Sequence, residues 1–147
     1  MKIAHFSDVH WLGTDRHKEY KEVFELFFKS ITEKQVDAIV LTGDIFHSKT
    51  HNITPEVIEN IVWMFNALKQ IAPVYVTLGN HDGNLKNETR QDLISPLLEA
   101  INSDKIFLMK KSGNYNLSVN NVTKANLAVF SCFDKENWQK KKKKNNK

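Results

Sequence analysis

Histidine is missing from the last 66 residues of this 147-residue chain, since all six lie at or before His81. Any site that needs imidazole must draw on the first part of the sequence. Cysteine is reduced to Cys132, which excludes an internal disulfide and argues against a cysteine-held structural zinc. No apolar run approaches the length needed to span a bilayer, and Met1 to Ser7 lacks the long apolar stretch of a secretory signal. The expectation is a soluble protein of an intracellular, cytoplasmic or nuclear-type compartment, with no membrane partner.

Acidic residues are absent from positions 140–147, which hold six lysines. Taking those six from the 21 basic residues leaves 15 against 17 acidic, so residues 1–139 carry −2 although the whole chain carries +4. The basic character belongs to the end of the chain and not to its body. Such a lysine run can bind phosphate backbones through counterion release, but the commoner behaviour is a solvated, disordered end. Residues 135–147 are accordingly expected to form a disordered Lys/Asn-rich tail. The remaining length, with 41% apolar residues in the whole chain, suits one domain and is too short for two.

What is present is an alternation of strand and helix patterns. Ile3 to Ser7 is β-rich, and after a loop through Asp15 a helical stripe follows in Tyr20, Val23, Phe24, Phe27 and Ile31. Val36 to Thr42 is almost continuously apolar, as a strand covered on both faces requires. A second helix is predicted from Thr54 as N-cap and Pro55 as first helical residue, with Ile58, Ile61, Phe65 and Leu68 as its buried stripe. Pro73 closes it, and Val74 to Leu78 reads as the next strand. A further helix is predicted from Ser95-Pro96 through Ile101, then a short strand at Ile106 to Met109. Alternation at Tyr115, Leu117 and Val119 and the apolar run Leu127 to Cys132 suggest a hairpin or the opening of a second sheet. This order predicts an α/β fold with parallel strands, whose exits share one edge of the sheet.

Three short segments sit at those exits: Asp8-Val9-His10, Gly43-Asp44 and Gly79-Asn80-His81-Asp82. Each alone is weak, because Gly-Asp and Asn/Asp-rich turns are common without any ligand. Together they bring two carboxylates, an amide oxygen and imidazoles to one rim, a donor set suited to Mn²⁺, Fe²⁺ or a similar first-row ion rather than calcium. If Asp8 to His10 is extended, residues i and i+2 point the same way and grip one ion. Asp82 is either the carboxylate that orients the His81 ring or a turn residue. His5 is expected to be a hydrogen-bonded core or supporting group, and His17 and His51 solvated loop residues. Trp11 and Trp63 are expected to pack, and Lys86 and Arg90 to lie in a solvated loop.

The spacing of these motifs resembles the calcineurin-like metallophosphoesterase superfamily, whose motifs read D-x-H, G-D and G-N-H-D/E at strand ends. Within it, MKIAHFSDVHWL (residues 1–12) and GDIFHS (residues 43–48) are similar to the SbcD-type nucleases of double-strand-break repair. The resemblance covers about residues 1–134 and implies the first half of an αββα sandwich with the start of its second sheet. It implies two divalent ions, manganese first and iron or magnesium next, with Asp8 and His10 on one, Asp44 bridging and Asn80 on the other. By the same resemblance His81 meets charge on the leaving oxygen and His47 helps handle the DNA strand. The implied reaction is phosphodiester hydrolysis on DNA. The implied partners are an SMC-like ATPase subunit of the SbcC type and a second copy, dimerised through helices of residues 54–101.

The chain departs from that family where a later G-H-x-H segment would complete both ion sites. Four recognisable ligands are few for two ions. The expectation is therefore an N-terminal portion of a phosphoesterase domain, ended by a truncation or a frameshift at an adenine-rich run. Gly83-Asn84-Leu85 also stands where bacterial SbcD proteins often have Ser-Pro.

Overall fold

Buried strands alternating with amphipathic helices decide the architecture. The computed structural model describes residues 1–13, 16–48, 53–86, 90–119 and 122–138. In it β1 (Ile3–Phe6), β2 (Ala38–Thr42), β3 (Val74–Thr77) and β4 (Ile106–Leu108) form one parallel sheet in the order β1-β2-β3-β4. The connections carry α1 (His17–Glu33), α2 (Pro55–Ile71) and α3 (Ile94–Ile101). A hairpin of β5 (Gly113–Val119) and β6 (Val122–Val129) forms a separate antiparallel sheet. The α/β class read from the sequence, a parallel β-α-β-α-β half followed by the start of a second sheet, is the fold the chain adopts.

Alternating side chains send the two faces of the parallel sheet to different partners. Ala4, Ile39, Leu41, Val74 and Val76 pack under the helices, against Phe24 and Ile31 of α1, Ile61 and Phe65 of α2, and Ile94 of α3. Ala38, Val40, Tyr75 and Met109 face the other way and meet Leu117 and Val129 of the hairpin. Double coverage of β2 is why its sequence is continuously apolar. The hairpin leaves the margins of its face open, so Ile3 and Phe107 each remain 43% exposed.

Two expectations about helix faces are corrected. Val23 is 64% exposed, because α1 turns Phe24, Phe28 and Ile31 toward the core, which carries position 23 outward. Ile58 is exposed beside the cleft between α2 and α3, and Val57, Ile61, Met64, Phe65 and Leu68 make the buried stripe. Thr54 has the extended backbone of an N-cap ahead of Pro55, yet its hydroxyl donates to the Gly13 carbonyl at 3.1 Å and makes no cap bond. It ties α2 to the loop after β1.

Helix α3 starts one residue before the predicted Ser95, because Asp92 supplies the cap. Its buried carboxylate accepts N–H bonds from Ile94 at 3.0 Å and Ser95 at 2.6 Å, the Ser95 hydroxyl at 2.7 Å and Lys110 Nζ at 2.6 Å. Burial pushes this carboxyl up, but Lys110 and the Ser95 donors outweigh it and hold it below the usual range. A depressed folded pKa stabilises the fold above the unfolded value of about 3.9, and that contribution is lost as pH falls through the lower folded value. Asp92→Asn is expected to cost about 1–2 kcal/mol at neutral pH, the scale of a lost cap. The gap from wild type should narrow below about pH 4, which urea unfolding across pH measures.

The end of the described chain is tied to the hairpin. Residues 135–138 form a helical turn, and Trp138 Nε1 donates to the Ser112 hydroxyl at 3.0 Å. The rest of the expected tail, residues 139–147, lies outside the described residues.

Candidate metal centre

Parallel pairing continues past the ends of β1 and β2 and builds the first half of the site. Asp8 N donates to Gly43 O at 3.1 Å, His10 N to Asp44 O at 3.0 Å and Trp11 N to Ile45 O at 2.9 Å. The two ligand-bearing loops thus lie side by side. Trp11 anchors the first of them in the core, 1% exposed and stacked on the Tyr20 and Phe24 rings of α1, while the Tyr20 hydroxyl donates to the His10 carbonyl at 2.9 Å.

Asp8, His10 and Asp44 come together with one ligand atom from each inside a 4.8 Å cluster. His10 Nε2 lies 3.8 Å from Asp8 Oδ1 and 4.0 Å from Asp44 Oδ2. Bonds of about 2.0–2.2 Å to nitrogen and oxygen allow two donors of one ion to lie at most about 4.2 Å apart. These distances allow two carboxylates and an imidazole to share one divalent ion. The donor set is hard to intermediate, as the sequence suggested.

The expected extended Asp8-to-His10 geometry is corrected. Asp8 (φ 57°), His10 (φ 49°) and Asp44 (φ 53°) all adopt left-handed backbone, a region costly to most residues and best tolerated by Asn, Asp and His. Among the described residues, half of the six non-glycine residues with positive φ are the three members of this cluster. Left-handed conformations at all three members concentrate backbone strain at the cluster. Gly43, at φ 83°, and Gly79 permit the loops to touch, because a Cβ on Gly79 would fall on the Asp44 carboxylate.

The third loop meets the second through side chains. Asp82, fully buried, accepts N–H bonds from Asp44 at 2.8 Å, Ile45 at 2.9 Å, Phe46 at 3.1 Å and Gly79 at 2.9 Å. Burial pushes its carboxyl above the usual range, against the pull of those four donors. Asp82 therefore faces inward, and the His81 ring is oriented by a different group. His81 Nδ1 lies 2.7 Å from the His47 carbonyl; an oxygen that only accepts requires Nδ1 to donate, leaving Nε2 for chemistry. The His81 and His10 rings lie 4.8 Å apart, and the His47 ring 5.7 Å from that of His10.

Asn80 is exposed on the same turn, between Gly79, which binds Asp82, and His81, whose N–H donates to Asp44 Oδ1 at 2.8 Å. With Oδ1 so engaged, Asp44 Oδ2 is the oxygen facing His10. The other described histidines, His5 and His17, stand apart from the cluster. His5 Nε2 pairs with the Thr42 hydroxyl at 2.9 Å on an exposed part of the sheet. His17, read as a solvated loop residue, instead begins α1 half-buried, with Nε2 donating to Leu12 O at 2.7 Å. His51 lies outside the described residues. Burial, helped by the Asp44 and Asp82 charges, pushes the Cys132 thiol up, which disfavours the thiolate as a ligand. The bonds of Asp82 to the amides of residues 44–46 and the role of the His47 carbonyl were missed because these partners lie 34–38 residues apart in sequence.

The calcineurin-like phosphoesterase family model matches residues 1–147, and the chain belongs to that family. It is also 40% identical over 153 residues to a protein of Acanthamoeba polyphaga mimivirus described only as uncharacterized. That match takes in 97% of this chain and 11% of the viral protein, so the chain spans about a ninth of its relative's length. Among the described residues no helix is long and apolar enough to cross a membrane.

Proposed function

We propose that this chain serves metal-dependent hydrolysis of phosphodiester bonds in DNA, in the manner of an SbcD-type nuclease. The observation that carries the reading is the Asp8, His10 and Asp44 cluster with the His81 ring beside it. Asp8 and His10 would hold one divalent ion, Asp44 would bridge and Asn80 would hold a second, with manganese the first candidate and iron or magnesium next. Such ions supply Lewis-acid polarisation of the phosphoryl group when bound. With Nδ1 tied to the His47 carbonyl, His81 in its doubly protonated form would give the Nε2 proton to the departing sugar oxygen and be left as the neutral Nδ1–H ring. Asp44 keeps one oxygen on the His81 N–H, which holds the carboxylate and the acid in one unit.

Support for DNA over a small substrate comes from the rim. His47 is exposed beside His10 and His81, in a G-D-x-F-H segment like that of the nucleases, and Asp8 is open to solvent, its side chain 65% exposed. A polymer can reach such a shallow site. An SMC-like ATPase subunit of the SbcC type is the proposed protein partner. A second copy is proposed to dock on the helices of residues 54–101, where a cavity of about 560 Å³ lies between α2 and α3. Purified chain supplied with Mn²⁺ is expected to degrade labelled duplex or single-stranded DNA faster than a chromogenic phosphodiester. The reverse order would favour a phosphoesterase of small nucleotides or phosphoproteins.

A second reading is a module that binds a partner without catalysis, favoured by the single cluster of three His or carboxylate ligands, Asp8, His10 and Asp44, among the described residues. The second ion then needs ligands from another chain or segment. Manganese titration separates the two: two tight sites favour the enzyme, and one weak site favours the binding module.

A further inference from the structure

The three ligand loops are joined in two different ways. Between the loops after β1 and β2 the backbone ladder simply continues, through Asp8, His10 and Trp11. Between the loops after β2 and β3 the strand register ends at Thr42 and Thr77, and the chain turns sharply at Gly79 to Asp82. No ladder joins those loops among the described residues. The N–H groups of Asp44, Ile45 and Phe46 would then be stranded, with Ile45 0% and Phe46 1% exposed. An unpaired buried N–H costs about 1–3 kcal/mol. Only an acceptor reaching over from the third loop can serve all three, and Asp82 reaches them together with Gly79 N.

We propose that Asp82 is a positioning residue whose carboxylate replaces the missing ladder, setting the spacing between Asp44 and His81 and so the affinity of the site for a divalent cation. Asp82 does not belong to the ligand cluster. Its action passes through the backbone of Asp44, whose side chain is then oriented by the His81 N–H. Asparagine cannot replace it, since one amide oxygen meets at most part of four converging donors and the NH₂ opposes the rest. Glutamate keeps the charge and both of the oxygens that the four donors need.

Calorimetric Mn²⁺ titration of wild type, Asp82→Asn and Asp82→Glu tests this, read beside urea unfolding. The expected result is a 10–100-fold weaker affinity in Asp82→Asn, the range for groups that orient metal ligands, with most of it restored in Asp82→Glu. A folded Asp82→Asn with wild-type affinity would overturn the role, even if its stability fell. Should Asp82→Asn fail to fold, through-hydrogen-bond NMR couplings in wild type decide: couplings from the Asp44, Ile45 and Phe46 amides to the Asp82 carboxyl carbon support the clamp, and their absence overturns it. The inference rests on the metal-binding reading and not on DNA as substrate. A wild type that takes up no Mn²⁺ sinks both, whereas equal affinities sink the Asp82 role alone.

Discussion

His81→Ala is expected to lower DNA cleavage by about 10²–10⁴-fold, the usual contribution of a general acid, while leaving divalent-ion affinity near wild type. The separation follows from geometry. His81 touches the centre in two ways: its backbone N–H holds Asp44 Oδ1, and its ring stands beside His10. Alanine deletes the ring and keeps the N–H, so the carboxylate stays oriented. Single-turnover rates on end-labelled DNA and calorimetric Mn²⁺ titration measure the two effects. Undiminished turnover would refute the acid role, and loss of the ion would make His81 a ligand. His47→Ala supplies the contrast, because the carbonyl that orients His81 belongs to the backbone and survives the substitution. Its expected cost falls on DNA strands and spares a chromogenic phosphodiester.

Trp11→Ala is expected to destabilise the fold by about 3–5 kcal/mol, as deletion of a large buried aromatic does, and to weaken Mn²⁺ binding with it. Trp11 lies directly after His10, stacks 4.4 Å from the Tyr20 ring and 5.8 Å from the Phe24 ring, and continues the ladder through its own N–H. A cavity there frees Tyr20, whose hydroxyl holds the His10 carbonyl. The left-handed backbone of Asp8 and His10 can then relax toward commoner conformations. Trp11→Phe should cost much less. Trp11 Nε1 is buried without a partner among the described residues, so removing that N–H relieves an unsatisfied donor. Urea midpoints for the two variants, with Mn²⁺ affinity at native concentrations of denaturant, check both statements. Equal midpoints for alanine and phenylalanine would refute the packing account.

How much of this was legible in sequence depended on the range of the interaction. Strand positions, the continuous apolar run of β2, the helix starting at Pro55 and the convergence of three motifs follow from periodicity and from the rule that parallel strands share their exits. The rotation of α1, which exposes Val23 at 64%, did not follow, because a helix with Tyr20, Phe24, Phe27 and Phe28 can present more than one apolar face. The start of α3 also escaped, since its cap Asp92 is secured by Lys110, 18 residues away.

The site divides in the same way. Residue identity and strand order placed Asp8, His10, Asp44, Asn80 and His81 at one rim, because donors at neighbouring strand ends cannot be far apart in a parallel sheet, whereas His47 entered only through the family resemblance. Tertiary structure alone decided which group does what beneath them. Asp82, adjacent to His81 in sequence, turns away to serve four backbone amides, and a carbonyl from position 47 takes the imidazole. Burial is the physical reason: stranded N–H groups at Ile45 and Phe46 impose a cost that only a carboxylate from a distant turn relieves, and no local pattern records that demand.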